Sequence, residues 1–272
     1  MNPIVYVNSD IKKAYYDESF LRKIRDRLRI SVEGESFIKE LNLSIAHIKL
    51  PPNFNPKAYK NNMEVTKKYM LKKNASLAPK TSRYLDFNLL GDFQKRLFAY
   101  GVVNSIKLLL RIRQKSIKSS CILIYDAAED INRNIVFELA KECKYCILLS
   151  NDIDKIRKLG DYVIANYGIS PIVTSDADYA MSKADFIISS KELEASNLIW
   201  YIDNMYIPRE NNALAVNDIS FAVPWQADNI NFSYELLGAI LSQMQEKDIE
   251  ASLKYNGIYL DKILFNGEVK QL

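Results

Sequence analysis

The stretch from residue 121 to residue 223 alternates short apolar runs with amphipathic segments, and this alternation constrains the fold most. Each run is only a few residues long and rich in Ile, Leu, Val or Phe, which is typical of strands buried on both faces. The predicted strands are Cys121–Tyr125, Cys146–Leu149, Pro171–Thr174, Phe186–Ser189, Leu198–Ile202 and Ile219–Val223. Because helical segments separate them, we predict an α/β fold with a doubly wound, mostly parallel sheet.

Helices with regular apolar spacing surround these strands. Asp92–Lys115 is predicted as a helix that leads into the first strand, and Ile131–Cys143 as the helix that follows it. Asn151 or Asp152 is placed to cap the next helix, which runs to about residue 166. In the tail, Ser233–Gln245 carries apolar residues at helical spacing.

The first ninety residues are less regular, and we predict a smaller mixed α/β domain there without naming its fold. Leu43–Leu50 alternates like a strand, and Glu18–Ile30 reads as a charged helix. The apolar residues of this helix, Phe20, Leu21, Ile24 and Leu28, form one stripe. The predicted organisation is an N-terminal domain over 1–90, a sheet domain over 91–232, and C-terminal helices over 233–272 that return toward the N-terminal part.

Composition points to a cytoplasmic protein. The net charge of +4 is too mild to predict a nucleic-acid partner, and we expect no membrane partner because no apolar run is long enough. Three cysteines do not make a disulfide framework, and no secretory signal is visible. Abundant Lys, Asn, Ile and Tyr suggest an AT-rich bacterial genome. A homodimer, a small molecule and a protein partner all stay open.

Several phrases of this chain match a known group of domains. They are FAYGVVNSIKLLLRIRQKSI, CILIYD, INRNIVFELAKEC, YCILLSND and ADFIISS. Together they resemble the NAD(P)-binding Rossmann domain of the shikimate dehydrogenase, glutamyl-tRNA reductase and acyl-carrier-protein reductase type. The resemblance spans about residues 95–245. It implies a Rossmann fold with NAD or NADP as cofactor, and it places Ala184, Asp185, Ile188 and Ser189 or Ser190 near the nicotinamide.

The turn after the first strand departs from that family because it holds no glycine. Against the usual G-x-x-G-x-x-G pattern, the glycine positions fall on Asp126, Glu129 and Asn132. Those glycines allow a tight turn and a close approach of the backbone to the pyrophosphate. Two carboxylates there would each repel a phosphate by about 3 kcal/mol at an effective dielectric near 20. With Glu129 and Asp130 at the helix N-terminus, we expect no dinucleotide cofactor.

The opposing interpretation keeps an atypical binding mode. Arg133 would then move onto a phosphate, and Asp152 would favour NAD over NADP, although Asp152 also suits a helix cap. Any ligand should bind at the carboxyl ends of the strands. The predicted crevice residues are therefore Asp126, Glu129, Asn132, Arg133, Asn151, Asp152, Ser189 and Ser190.

Catalytic candidates are few. A shikimate-dehydrogenase-like reaction calls for a Lys/Asp pair before the Rossmann domain, and Lys80 with Asp86 is the only nomination. Cys143-Lys144-Tyr145-Cys146 straddles a helix end and a strand, so we interpret it as core packing and predict no metal site.

Two functions remain. The first is a non-catalytic ligand-binding or regulatory protein, a pseudoenzyme on a degenerate scaffold. The second is an NAD(P)-dependent oxidoreductase with an atypical loop.

Overall fold

The computed structural model describes residues 1–193, 197–205, 215–226 and 230–270, with the backbone alone at 69–73. The chain divides into two compact units, which we describe separately. The first comprises Met1–Leu97 and Ser220–Tyr259, and the second comprises Phe98–Ile219 and Leu260–Leu272.

The helices and strands up to residue 112 are β1 (Ile4–Ser9), α1 (Phe20–Arg29), β2 (Ser31–Ile38), β3 (Leu43–Leu50), α2 (Pro56–Lys73), β4 (Ser76–Lys80), α3 (Arg83–Asp86) and α4 (Asp92–Ile112). Next come β5 (Cys121–Tyr125), α5 (Asp130–Ala140), β6 (Tyr145–Leu149), α6 (Ile153–Tyr167), β7 (Ile172–Thr174), α7 (Ala177–Lys183), β8 (Phe186–Ser189), β9 (Leu198–Tyr201) and β10 (Ala215–Val216). The last elements are β11 (Asp218–Ala222), α8 (Tyr234–Leu241), α9 (Ile249–Tyr255), β12 (Tyr259–Phe265) and β13 (Glu268–Val269).

The first unit is built on a four-stranded mixed sheet in the order β2-β3-β1-β4. β1 runs parallel to both β3 and β4, and β2 is antiparallel to β3. Pro79 lies in β4, an edge strand, where the missing backbone N–H leaves no central ladder bond unmade. The apolar face of the sheet packs on α8 in a cluster that includes Ile4, Ile45, Leu236 and Ile240.

Gln94 joins three segments of this unit from a buried position near the start of α4. Its amide nitrogen donates to the carbonyls of Leu77 (3.0 Å) and Glu235 (2.8 Å), and its carbonyl accepts from the backbone N–H of Gly91 at 2.7 Å. Gly238 of α8 packs so closely on this residue that an added Cβ would lie 2.8 Å from the Gln94 Cα. The absence of a side chain at Gly238 therefore fixes how near α8 approaches α4.

The second unit confirms the predicted fold. Its sheet has six strands in the order β10-β9-β8-β5-β6-β7, and the recorded pairings are all parallel. Numbered along the unit, this is the strand order 3-2-1-4-5-6 of the Rossmann fold read from its other edge. The order reverses between β5 and β8, which makes the carboxyl ends of these two strands the place where such sheets bind ligands.

One predicted strand lies elsewhere. Ile219–Val223 was expected as the sixth strand, but the structure gives that place to Ala215–Val216 and assigns Asp218–Ala222 to a different sheet. The reason is that the edge strand is too short to produce a recognisable apolar pattern in the sequence. Two residues suffice for pairing at the edge, where Ala215 and Val216 align with Ile199 and Trp200 of β9.

Candidate functional site

The turn after β5 places Asp126 in a conformation that usually belongs to glycine. Asp126 has φ of +56°, in the left-handed region, immediately after β5 ends. Among residues with a side chain, Asn and Asp tolerate this region best, but they still do so at some cost. The turn thus keeps the backbone shape for which the first glycine of the motif is used, with a carboxylate in place of hydrogen.

A lysine that the sequence analysis missed neutralises this carboxylate. The Lys191 Nζ lies 2.9 Å from the Asp126 Oδ2, and this hydrogen bond and charge raise the pKa of Lys191. Lys191 directly follows Ser190 beyond the end of β8, so the ion pair links the two strands at which the strand order reverses. No spacing rule connects residues 126 and 191, and only the parallel pairing of β5 with β8 brings them together.

Asn132 fills the space beneath the turn. It is fully buried in the first turns of α5, and its Nδ2 donates to the Asp126 carbonyl (2.9 Å) and to the Ser190 Oγ (3.0 Å). This is the position of the third glycine in the motif, where the missing side chain lets helix and strand pack closely. Here an amide side chain occupies that position and fastens the turn to the end of β8.

Backbone amides of the turn are also used within the chain. Ala127 donates to the Leu149 carbonyl (2.9 Å), Glu129 to the Asp126 carbonyl (2.9 Å), and Asn132 to the Glu129 carbonyl (3.0 Å). In a phosphate-binding turn, such N–H groups point at the ligand. Hydrogen bonds from these three amides therefore close the turn onto itself and onto the end of β6.

The charged residues at the start of α5 lie partly as expected. Glu129 is the N-cap residue, and its side chain makes no capping hydrogen bond, so any effect of this carboxylate on the helix end comes from its charge alone. Asp130, in the first turn, pairs instead with Lys155 of α6 at 3.0 Å. The Arg133 guanidinium lies 5.6 Å from the centre of the Phe137 ring.

A small cleft opens beside the turn, between α5 and α6. It measures about 260 Å³ and is lined by Ala127, Ala128, Glu129, Asp130, Arg133, Phe137, Lys155, Lys158, Leu159 and Tyr162. The Phe137 and Tyr162 rings lie 4.8 Å apart within it. Ligand pockets usually measure about 300–1,000 Å³, so this cleft fits a ligand smaller than a dinucleotide. Its lining combines two aromatic rings with three cations and two carboxylates.

The other predicted crevice residues have structural partners. Asp152 caps α6 by accepting from the Lys155 backbone N–H at 3.1 Å, and Asn151 precedes it at the end of β6. Ser189 is buried, and its Oγ donates to the Lys191 carbonyl at 2.7 Å. The carboxyl edge thus brings together Asp126, Asn132, Ser189 and Ser190.

Asp185 lies at the opposite edge from the one that the resemblance implies for the nicotinamide. It precedes β8, where its carboxylate accepts from the Cys121 backbone N–H at 2.8 Å and pairs with Lys115. The Lys115 and Cys121 hydrogen bonds hold the pKa of Asp185 below its ordinary value despite its desolvation. Only Ser189 and Ser190 of the ADFIISS phrase reach the ligand-binding edge.

The nominated catalytic pair lies in the first unit. Lys80 is the last residue of β4, whereas Asp86 ends α3 and is buried. The Tyr59 and Thr81 hydroxyls donate hydrogen bonds to the Asp86 carboxylate. The backbone N–H of Thr81 also donates to it, at 2.8 Å. Burial raises the pKa of Asp86 to about 7, against the lowering effect of these donors. No sequence pattern points to Tyr59, which lies 27 residues earlier on α2.

Other candidate chemistry is sparse in the described part of the chain. No three His, Cys, Asp or Glu side chains among those residues converge as metal ligands would. Cys143 and Cys146 are buried, and the hydrogen bond between the thiols lowers the pKa of Cys143 and raises that of Cys146. None of the described helices is both long and apolar enough to cross a bilayer.

Comparison with known proteins reveals a likeness of fold. No protein-family model and no curated protein matches the chain. A shikimate dehydrogenase solved with NADP+ is 15% identical with a TM-score of 0.37, over 70% of this chain and 66% of that one, just under two thirds of its length. A quinate dehydrogenase from Corynebacterium glutamicum, solved with NAD, is 8% identical with a TM-score of 0.36, over 70% of each chain.

Further neighbours include an aspartate transcarbamoylase from Trypanosoma cruzi, 12% identical with a TM-score of 0.36, over 75% of this chain and 71% of that one. Shikimate and quinate dehydrogenases are thus among the solved structures to which this chain is similar.

Proposed function

We propose that this chain is a non-catalytic ligand-binding or regulatory protein on a Rossmann scaffold whose phosphate-binding turn has been replaced. In this account, the position of the pyrophosphate is taken by the chain's own groups. The protein would then bind neither NAD nor NADP in the usual place and would transfer no hydride.

The observation that carries the proposal is the closed turn. Asp126 and Asn132 stand at two of the three glycine positions, and both contact residues just after β8. The Asp126 carboxylate lies 2.9 Å from the Lys191 amine, and the Asn132 Nδ2 donates to the Ser190 hydroxyl at 3.0 Å. A pyrophosphate entering here would have to break the ion pair and face the carboxylate. A carboxylate near a diphosphate costs about 3 kcal/mol, roughly a hundredfold in affinity per contact, and at Asp126 this cost applies once the ion pair with Lys191 is broken.

The test removes the carboxylates and leaves the backbone shape intact. D126G/E129G should bind NAD more tightly than the wild type by tenfold or more, measured by isothermal titration calorimetry. Glycine suits the left-handed φ at residue 126, so the turn should keep its form. D154N/D161N is the matched control, because it removes two exposed carboxylates of α6 that lie outside the predicted crevice set and should leave the affinity unchanged. No gain in D126G/E129G would contradict the proposal.

The cleft between α5 and α6 gives such a protein a place for its ligand. Its paired Phe137 and Tyr162 rings suit a small planar group, and its three cations exceed its two carboxylates, Glu129 and Asp130, by one charge. With Lys155 paired to Asp130, Arg133 and Lys158 are the cations left for an anionic substituent. Phenyl phosphate is a suitable probe, and R133Q/K158Q should weaken its binding by about tenfold or more. K12Q/K13Q, two exposed lysines in the first unit, is the control. Equal binding by both variants would exclude the cleft as the site.

The second candidate function, an NAD(P)-dependent oxidoreductase, is favoured by one observation. A buried carboxyl whose pKa lies near neutrality, as for Asp86, is the kind of group that serves as a general acid or base. This candidate requires cofactor binding by the wild type, which the first does not, so titration of the unmodified protein separates the two.

A further inference from the structure

Helix α1 presents its apolar side to solvent. The stripe read from the sequence would ordinarily face a core, yet Phe20, Leu21, Ile24 and Leu28 are 74%, 79%, 47% and 82% exposed. At 3.6 residues per turn these four positions fall within an arc of about 100°. Scattered exposed apolar residues need no explanation, but a contiguous stripe of four marks an interaction surface.

The opposite side of α1 is polar and holds the helix in place. Asp26 is fully buried, and its carboxylate accepts from the Tyr15 hydroxyl and from the Asn53 Nδ2 at 2.6 Å. The Arg22 guanidinium lies 3.9 Å from the centre of the Tyr15 ring and 3.6 Å from Asp26. Because these polar contacts fix α1 to its unit, the apolar stripe cannot turn inward without breaking them.

Cations line both sides of the exposed stripe. By helical geometry, Lys23 and Arg27 lie along one side and Arg25 and Arg29 along the other. All four are exposed, whereas the one acidic residue of the helix, Asp26, is the buried one. The outward surface of α1 is thus an apolar strip with a row of positive charge on each side.

This arrangement disfavours a second copy of the chain as the occupant. Two such helices packed on each other would set cations against cations. A ten-residue helix is about 15 Å long and 10 Å wide, so its footprint of about 150 Å² is far below the roughly 800 Å² per partner of a stable complex.

We propose that α1 docks the protein reversibly on an anionic phospholipid surface. The four apolar side chains would enter the boundary of the acyl chains, and the two cationic rows would lie at the level of the phosphates on either side. A bilayer offers negative charge on both sides of the helix at once. An acidic protein would have to place carboxylates on both rims of an apolar groove.

The proposal concerns a helix that lies on a membrane, in contrast to one that spans it. It departs from the sequence-based expectation of no membrane partner, because that expectation considered only apolar runs long enough to span a membrane. A short stripe with a few cations predicts weak, salt-sensitive binding.

The first experiment is co-sedimentation of the full chain with vesicles of phosphatidylcholine alone or mixed with phosphatidylglycerol. The wild type should bind the mixed vesicles and leave the neutral ones largely unbound. L21S/L28S removes two of the most exposed apolar side chains and should weaken binding by about tenfold or more. Y255S/Y259S, which removes two exposed aromatic residues outside α1, should bind like the wild type.

The second experiment separates the cations of α1 from the net charge of the protein. R25Q/R29Q should weaken binding to the mixed vesicles by about thirtyfold, since each surface cation contributes about 1 kcal/mol. R111Q/R113Q changes the net charge equally at two exposed arginines outside α1 and should bind nearly like the wild type. Equal losses in both variants would overturn the proposal, because they would indicate attraction to net charge alone.

A reporter in the stripe tests the depth of contact independently of the amount bound. F20W, at a residue 74% exposed, should fold as the wild type does and shift its added emission to the blue on mixed vesicles. An unshifted emission from bound protein would overturn the proposal. The proposal would also be overturned if the wild type self-associated without binding vesicles and L21S/L28S lost that self-association. The stripe would then bind a second copy of the chain. Binding of an acidic protein without vesicle binding would overturn it as well.

Discussion

The buried carboxyl of Asp86 makes a quantitative prediction about how the stability of the first unit depends on pH. Desolvation raises the pKa of Asp86 from 3.8 to about 7, with a contribution from nearby Glu235, while hydrogen bonds from Tyr59 and Thr81 oppose the rise. Asp86 is only 2% exposed, so solvent screens little of this effect. A raised pKa in the folded state means that folding favours the protonated carboxyl.

The sign of the effect follows from the protons bound in each state. Between the unfolded pKa near 4 and the folded pKa of about 7, the folded protein holds a proton that the unfolded chain has lost. Stability is therefore full below the unfolded value and falls as pH rises through this window. At about 1.4 kcal/mol per pH unit over roughly three units, the free energy of unfolding drops by up to about 4 kcal/mol.

Urea unfolding of the wild type and of D86N across this window measures the effect. The wild type should lose stability as pH rises from about 4 to 7 and then level off, whereas D86N should lack that part of the slope. Y59F removes a donor that lowers the pKa of Asp86, so it should move the midpoint of the slope to higher pH. Parallel pH profiles for the wild type and D86N would refute the reasoning.

Further predictions concern individual positions. D126G should be about as stable as the wild type, because relief of the left-handed φ offsets loss of the partly buried ion pair with Lys191. D126A loses the ion pair without that relief and should be about 1 kcal/mol less stable in thermal unfolding. G238A should lower the free energy of unfolding by about 1–3 kcal/mol in urea titrations, because the new Cβ meets the Gln94 backbone at 2.8 Å. A239G is the neighbouring control: it adds no atom and so causes no overpacking. N132A should cost about 1–3 kcal/mol, because it removes the two hydrogen bonds that Asn132 donates to the Asp126 carbonyl and the Ser190 hydroxyl. The loss should be visible as faster amide exchange in the 126–132 turn. Unchanged stability in G238A or N132A would contradict these packing assignments.

The sequence was sufficient to predict the second unit because its signals are local. Strands such as Cys121–Tyr125 and Tyr145–Leu149 are short, apolar and flanked by helices, and right-handed crossovers leave few topologies for such a pattern. The exception is the sixth strand, where a two-residue edge strand carries too little pattern to compete with the longer apolar run that follows it.

The site was predicted in its composition but not in its contacts. The missing glycines at 126, 129 and 132 are visible in the sequence, whereas the partner of Asp126 is not. Lys191 and Ser190 lie about sixty residues away and reach the turn only through the pairing of β5 with β8.

The first unit was hardest to predict because burial there contradicts local pattern. The stripe of α1 has the spacing of a core-facing helix, yet the helix is held by Asp26 and its polar partners instead. Amphipathic spacing reveals that a helix has two sides, but it does not tell which side faces the protein.

The central claim is that the closed turn excludes a dinucleotide, and calorimetric titration of the unmodified protein with NAD, NADH, NADP and NADPH tests it most directly. The ion pair between Asp126 and Lys191 and the hydrogen bond between Asn132 and Ser190 occupy the edge where the pyrophosphate would lie. The account predicts no binding heat for any of the four in the micromolar range. Low-micromolar affinity for any one of them would contradict it.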